Sequence, residues 1–532
     1  MYRILLFISA LVSVTQGVEI ITRKGDLHVA NKKIAPNGFE RSAVLAGKTS
    51  RSVAFPGPLI KANKGDRFEI NVIDELTDST MDRATTIHWH GLFQKSTNWA
   101  DGPEFVTQCP IIPGNSFNYR FSVPDQAGTY WYHSHFGAQY CDGLRGPLVI
   151  YDPQDPQKGL YDVDDENTII TLADWYNDTG PAIIASQGAP KANATLINGL
   201  GRSPDGNPKS PLAIVNVQKG KRYRMRLISM ACDPNFTFSI DGHNMTIIEA
   251  DGVNVKPYTV NKLQIFAAQR YSFVLNANQP VGNYWIRSLP SESGPFEQGF
   301  KNGINSAILR YKGAKEVEPN TTQATNEMIL RETDLHFLSA SQYGKSQVPG
   351  KPFPGGADLV LNLTLAFVAP ADFFINDVKF EVPDVPVLLQ ILSGAQKAQD
   401  ILPKGSVIDL PKNKVIEINM FGNNTIGGPH PMHLHGHTFD VVKSADSPDY
   451  NFKDPVRRDT VAVSGSNQTT IRFVTDNPGP WVLHCHIDFH LVDGLAVVLA
   501  EDTQDTKFAN PVPPDWAKLC PIWNSTAPDV RN

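Results

Sequence analysis

Apolar and polar residues alternate along many short runs of this chain, and Gly, Pro and Asn keep interrupting them. Alternation buries one face of a strand, whereas a helix needs apolar residues three and four apart. Helical spacing is scarce here, so the pattern predicts many strands joined by turns. Three stretches repeat one design, a polar turn leading into an alternating strand: "ANKGDRFEINV" (62–72), "VQKGKRYRMRL" (217–227) and "LPKNKVIEINM" (410–420). A second unit follows each: "FSVPDQAGTYWYHSH", "FVLNANQPVGNYWIRS" and "FVTDNPGPWVLHCH", a strand, a polar turn and an aromatic-led strand. The spacing inside this unit drifts by a few residues, as hairpin turns permit.

Three copies of a strand-rich unit predict three β-sandwich domains in tandem. The length of 532 residues agrees, being too great for one core. The expected division is a leader at 1–17, then domains at 18–154, 155–329 and 330–532. The opening "MYRILLFISALVSVTQGVEI" has one Arg, an apolar core and then small and polar residues, which reads as a secretory signal removed near Gly17. It is too short for a membrane anchor, and no later segment has the length to span a bilayer. Sequons at Asn177, Asn193, Asn362 and Asn467 fit a glycosylated extracellular protein. With a net charge of −6 and no long basic run, no nucleic acid partner is expected.

The repeats differ in their histidines. The first carries "HWH" and "HSH", the third "HLH" and "HCH", and the second has "YWIRS" at the matching place. Metal chemistry is therefore expected of the first and third domains, with the middle one as a spacer or wall. On a strand, residues i and i+2 share a face, so each His-x-His offers two imidazoles to one site. Four such pairs, from 88/90, 133/135, 433/435 and 484/486, supply eight. Eight neutral nitrogens suit copper and exceed what one tetrahedral zinc uses.

In "HCH" the cysteine faces away from its two neighbours, so Cys485 serves a second site. His430, at an odd offset from His433, and His490, beyond the strand's end, complete a two-histidine, one-thiolate set, the donor pattern of a blue copper centre. Five cysteines leave one over if four pair, and Cys485 is the natural one; the other four allow three connectivities.

Four segments carry a resemblance: "HWHGLFQKSTNWADGPEFVTQCPI", "GTYWYHSHFGAQYCDGLRGPLVIY", "HPMHLHGH" and "GPWVLHCHIDFHLVDGLAVV". In this order they resemble the copper signatures of multicopper oxidases, and more narrowly of fungal laccases, along nearly the whole mature chain. The resemblance implies an all-β fold of three tandem cupredoxin-like Greek-key sandwiches and four copper ions. His430, Cys485 and His490 would hold the type 1 copper, and His88 and His433 the type 2 copper. One type 3 copper would take His90, His133 and His486, the other His135, His435 and His484. His28, His243, His336 and His437 are left over and read as exposed or hydrogen-bonded histidines.

Leu495 stands where many blue copper sites place a weak axial Met; leucine cannot coordinate, which favours Cu(I) and a higher potential. Met432, also near the site in sequence, reads as core. The resemblance further implies disulfides Cys109–Cys520 and Cys141–Cys232. It gives Asp233 the role of accepting the phenolic proton, although an Asp before Pro is also a common turn. His490 would share the substrate contact through its edge, Asp101 would supply protons for oxygen reduction, and Asp488 would support a ligand. The segment 288–300 departs from the family's loop and is expected to border the substrate pocket.

The expected activity is that of a secreted, monomeric enzyme passing single electrons from phenols or aromatic amines to O2. An Fe(II) oxidase of the same family would need several carboxylates at the type 1 rim, where only Asp233 can be placed. Ascorbate oxidation fits less well, because Leu495 replaces the expected Met. A blue-copper electron carrier leaves eight histidines unexplained, and an oxygen-binding dicopper protein leaves Cys485 unexplained.

Overall fold

The two repeated sequence units occupy equivalent places in three sandwiches of two sheets each. A computed structural model describes residues 19–531 apart from 205, 292–298, 340–346, 423–427 and 466. The expected leader at 1–17 lies outside the described residues. In each sandwich the strand of the first unit pairs antiparallel with the opening strand of the second: Arg67–Glu75 with Ser116–Ser122, Arg222–Ser229 with Arg270–Asn276, and Val415–Gly422 with Thr469–Val474. Its other neighbour is parallel in all three, namely Lys24–Ile34, Ile169–Trp175 and Leu359–Val368. The aromatic-led strand then crosses to the facing sheet, as Gly128–Ser134, Asn283–Pro290 and Gly479–Cys485. The fold is thus three cupredoxin-like sandwiches.

Burial follows the alternation where one face meets solvent. In Arg67–Glu75 every second residue is buried. Gly128–Ser134 and Gly479–Cys485 are buried throughout, because a neighbouring domain covers their second face. Trp89, Trp131 and Trp481 fill these regions without exposure; truncating such a side chain to Ala costs ~3–5 kcal/mol.

The segment around residues 329 and 330 still belongs to the edge of the second sandwich, since Ile329 bridges Lys262 and Phe337 bridges Val255. The first strand of the third sandwich is Leu359–Val368. Helices are short, and the ten-residue Trp516–Ser525 is seated on the first domain. There the Trp516 indole donates to Thr107 O at 2.9 Å, Arg120 Nη2 donates to both carboxylate oxygens of Asp515, and Cys520 is bonded to Cys109. The second disulfide, Cys141–Cys232, joins the first and second domains. Among the described residues no helix is long and apolar enough to cross a membrane.

Candidate metal centres

Strand register assembles the histidines. Ile87–His90 runs antiparallel to Gly128–Ser134 with His88 opposite His133. In the third domain His430–Leu434 runs antiparallel to Gly479–Cys485 with His433 opposite His484. Opposite residues share a face, so each pair of strands presents a patch of imidazoles, and the two patches meet between the domains. Ring centroids lie 4.0 Å apart for His88 and His435 and 3.8 Å for His90 and His433. His435 Nε2 is 3.1 Å from His484 Nε2, and His90 Nδ1 is 3.2 Å from His486 Nε2. Within the expected triads, centroids of His135, His435 and His484 are 5.2–5.3 Å apart, and those of His90, His133 and His486 are 4.9–5.9 Å apart.

The far nitrogens of these rings are tied down. Nδ1 of His88, His133, His433 and His484 lies within 2.9 Å of the carbonyls of Asp101, Ser134, Asp459 and Cys485 respectively, and His435 Nδ1 lies 2.8 Å from Asp101 Oδ2. Such contacts fix ring orientation and leave the other nitrogen facing inward. Nε2 of His88, His133, His135 and His433 is buried without a hydrogen-bond partner, at a cost of ~1–3 kcal/mol each. A bound cation would remove that cost, which is why the residues fit a metal cluster. Burial, ahead of repulsion between the rings, holds His90, His133, His135, His433, His435 and His486 well below the ordinary imidazole range, and His484 at about 4. They are the neutral donors copper requires.

The second set lies on the other face of the same strands. Met432 pairs with Cys485 in register, so the thiol points away from His484 and His433. His430, two residues before Met432, shares that face. The short helix Asp488–Val492 begins just past the strand and carries His490 back. Cys485 Sγ is 3.7 Å from Nδ1 of both His430 and His490, and those nitrogens are 3.2 Å apart. Burial depresses His430 to about 4 and His490 further, and it pushes the Cys485 thiol up. A bound cation reverses that last effect by taking the thiolate. Leu495 is fully buried and its carbonyl accepts from the Cys485 amide at 3.0 Å, and Met432, opposite Cys485 in register, is fully buried in the same core cluster.

A cavity of about 570 Å³ opens onto this second set, and Asp233, His490, Phe373 and Asp493 line it. The Asp233 amide donates to Asp174 Oδ2 at 3.1 Å. Ser291 also lines the cavity, whereas residues 292–298 of the segment expected at its border lie outside the described residues. Asp101 sits at the histidine set, with Oδ1 buried and 3.3 Å from His88 Nδ1. Asp488 lies apart from both sets of donor atoms; burial raises it far above the usual carboxylate range, and its amide donates to Cys232 O at 2.9 Å. The four remaining histidines all have other partners: Glu75 for His28, Asp241 and Tyr311 for His243, Asp454 for His336 and Glu501 for His437. Asp493, Asp459 and Arg270 were not visible from the sequence, since no spacing or motif marks them.

Three sandwiches with a thiolate set in the last and a histidine cluster shared by first and last define a copper protein of the cupredoxin class. Three multicopper oxidase family models match residues 29–155, 166–314 and 381–505. The chain belongs to the multicopper oxidase family. It is 57% identical over 507 residues to a laccase of Trametes hirsuta, covering 94% of each chain. It is 58% identical over 510 residues to a laccase of Pycnoporus cinnabarinus, again covering 94% of each. Among solved structures it resembles the laccase of Botrytis aclada, with a TM-score of 0.81 at 30% identity, covering 96% of this chain and 93% of that one. Fet3p, a multicopper oxidase that functions in iron import, gives a TM-score of 0.80 at 26% identity, covering 95% and 96%.

Proposed function

We propose that the protein is a laccase that takes single electrons from phenols and aromatic amines and reduces O2 to water. One observation carries this reading: Cys485 joins His430 and His490, while its sequence neighbours His484 and His486 join the histidine cluster. Copper at the two sets would accept electrons one at a time at the first and reduce O2 at the second. The assignment we favour has four ions. His430, Cys485 and His490 hold type 1, and His88 and His433 hold type 2. His90, His133 and His486 hold one type 3 ion, and His135, His435 and His484 hold the other.

The chain's own residues place the substrate and the protons. The cavity receives the aromatic ring, the Asp233 carboxylate takes the phenolic proton, and His490 presents its ring at the cavity wall. Asp101 orients His435 through Oδ2 and can hold a proton at Oδ1 for the oxygen chemistry. The Asp488 amide ties the turn between His486 and His490 to the Cys232 carbonyl and so supports both ligands. The leader-type opening and two disulfides support secretion.

The test is copper content with a phenol-to-oxygen balance. Four copper ions, a blue band and four phenols consumed per O2 without peroxide release are the expected results. A blue protein that oxidises phenol once and consumes no O2 would be an electron carrier, and a strong preference for Fe(II) would favour the metal-ion oxidase.

A further inference from the structure

The middle sandwich, free of histidine at the matching place, sends one side chain to the histidine cluster. Arg270 begins the strand Arg270–Asn276 and is fully buried. Its guanidinium forks onto Asp459 of the third domain, Nη1 to Oδ1 at 2.8 Å and Nη2 to Oδ2 at 2.7 Å. Nε donates to the carbonyl of Thr129 in the first domain at 3.0 Å. One guanidinium therefore binds all three domains.

Asp459 in turn touches two histidines. Its Oδ1 lies 3.3 Å from His90 Nε2, and its carbonyl lies 2.9 Å from His433 Nδ1. His90 is the cluster ring turned the opposite way from His88, His133, His433 and His484, with Nδ1 inward beside His486 and Nε2 outward on the carboxylate. Gly91 leaves room for the pair: a Cβ there would meet Arg270 Nη2 at 2.6 Å and Asp459 Oδ2 at 2.8 Å.

We propose that Arg270 and Asp459 are positioning residues of the oxygen-reducing centre, which hold His90 with Nε2–H donating to Asp459 and Nδ1 free for metal. This deepens, and rests on, the reading of the eight histidines as copper ligands. Asp459 is near enough to His90 and His433 to share a cation with them. Both oxygens accept from the Arg270 fork, Oδ1 accepts from Thr460 Oγ1 at 2.9 Å as well, and a cation there would face the guanidinium. The carboxylate therefore orients a ligand and is not one itself.

The test compares Arg270→Gln, Arg270→Lys, Asp459→Asn and Asp459→Ala as copper-loaded enzymes. Arg287→Gln is the control, since it breaks a buried fork onto Asp241 in the same sandwich, away from the cluster. Readouts are copper per chain, the rate of copper loss to a chelator, the EPR-detectable Cu(II) count and the blue band. Expected is about a 10–100-fold faster copper loss and an altered Cu(II) count in Arg270→Gln and Asp459→Ala, with the blue band kept. Lysine, a point charge without the fork, should rescue only in part. Asn, which can still accept from His90, should fall between wild type and Ala. Should Arg270→Gln not fold, Arg270→Lys and the isosteric Asp459→Asn carry the same comparison.

Variants that match wild type in copper loss and Cu(II) count, differing only in thermal stability as the control does, would reduce the pair to an interdomain ion pair and overturn the proposal. Loss of one whole copper from Asp459→Asn, with Arg270→Gln intact, would make Asp459 a ligand and also overturn it. Wild-type protein that binds copper only at the blue site would instead sink the underlying reading of the cluster.

Discussion

The Cys485 amide donates to the Leu495 carbonyl at 3.0 Å, and the Leu495 amide donates to the His490 carbonyl at 2.9 Å. Backbone bonds thus hold residue 495 against two of the three residues proposed to hold the type 1 copper, independently of its side chain. Leu495→Met should therefore add a donor without moving the ligands. Adding a donor atom where leucine supplies none stabilises Cu(II) relative to the three-ligand site, so the type 1 midpoint should fall, by about 59 mV for each ~1.4 kcal/mol in this one-electron couple. Redox titration of the blue band checks it; an unchanged or higher midpoint would mean the side chain does not face the copper.

Cys485→Ser should abolish the blue band and lower phenol oxidation by several orders of magnitude, while most of the copper at the histidine cluster stays bound. The reason is the register that places Cys485 opposite Met432 and His484 opposite His433. Absorption spectra and copper analysis of the same preparation decide the matter. Loss of all copper would mean the two sets are not separable.

Much of the site was legible because strands make sequence spacing into geometry. A period of two puts His88 with His90 and His484 with His486 on shared faces, and it turns Cys485 away. The same logic fails at His437, where the alternating run continues on paper. The strand ends at Leu434, and Gly436 adopts φ +73 against the Trp481 indole, where no Cβ would fit. The chain turns, and His437 meets Glu501 at 2.8 Å. Arg270 and Asp459 were illegible for a different reason. They are 189 residues apart and belong to different domains, and neither sits in a pattern that singles it out. The edge near residues 329 and 330 was equally hidden, because a segment crossing between sandwiches can pair with either.

Asp233→Asn should impair phenols far more than a non-phenolic one-electron donor, about 10²-fold or more in kcat/KM if the carboxylate acts as the proton acceptor. Asn keeps the size and hydrogen bonding but cannot take up the proton. Only the ionised carboxylate helps, so the difference from wild type should shrink toward acid pH. Rates for both donors from pH 3 to 7 check this. Equal losses for both donors at every pH would leave Asp233 as a turn residue.

Asp493 adds a second carboxylate to the same cavity and should bias it toward cations. Burial raises it to about 6, with Asp372 pushing the same way and Lys379 opposing; Lys379 is itself paired with Asp372. Below about pH 6 the group is neutral, and above it the group is an anion facing bound substrate. For a permanently cationic aromatic amine, wild-type kcat/KM should therefore rise between pH 5 and 7 relative to a neutral phenol of similar size. Asp493→Asn should remove that rise and raise KM for the cation about two- to fivefold at pH 7, the scale of a half-exposed ion pair. The phenol should respond little, because no charge meets it there. High salt should shrink the wild-type preference toward the variant's. A cation-to-phenol ratio that is flat with pH in wild type, or unchanged by the substitution, would place Asp493 at the rim without a part in selecting substrate.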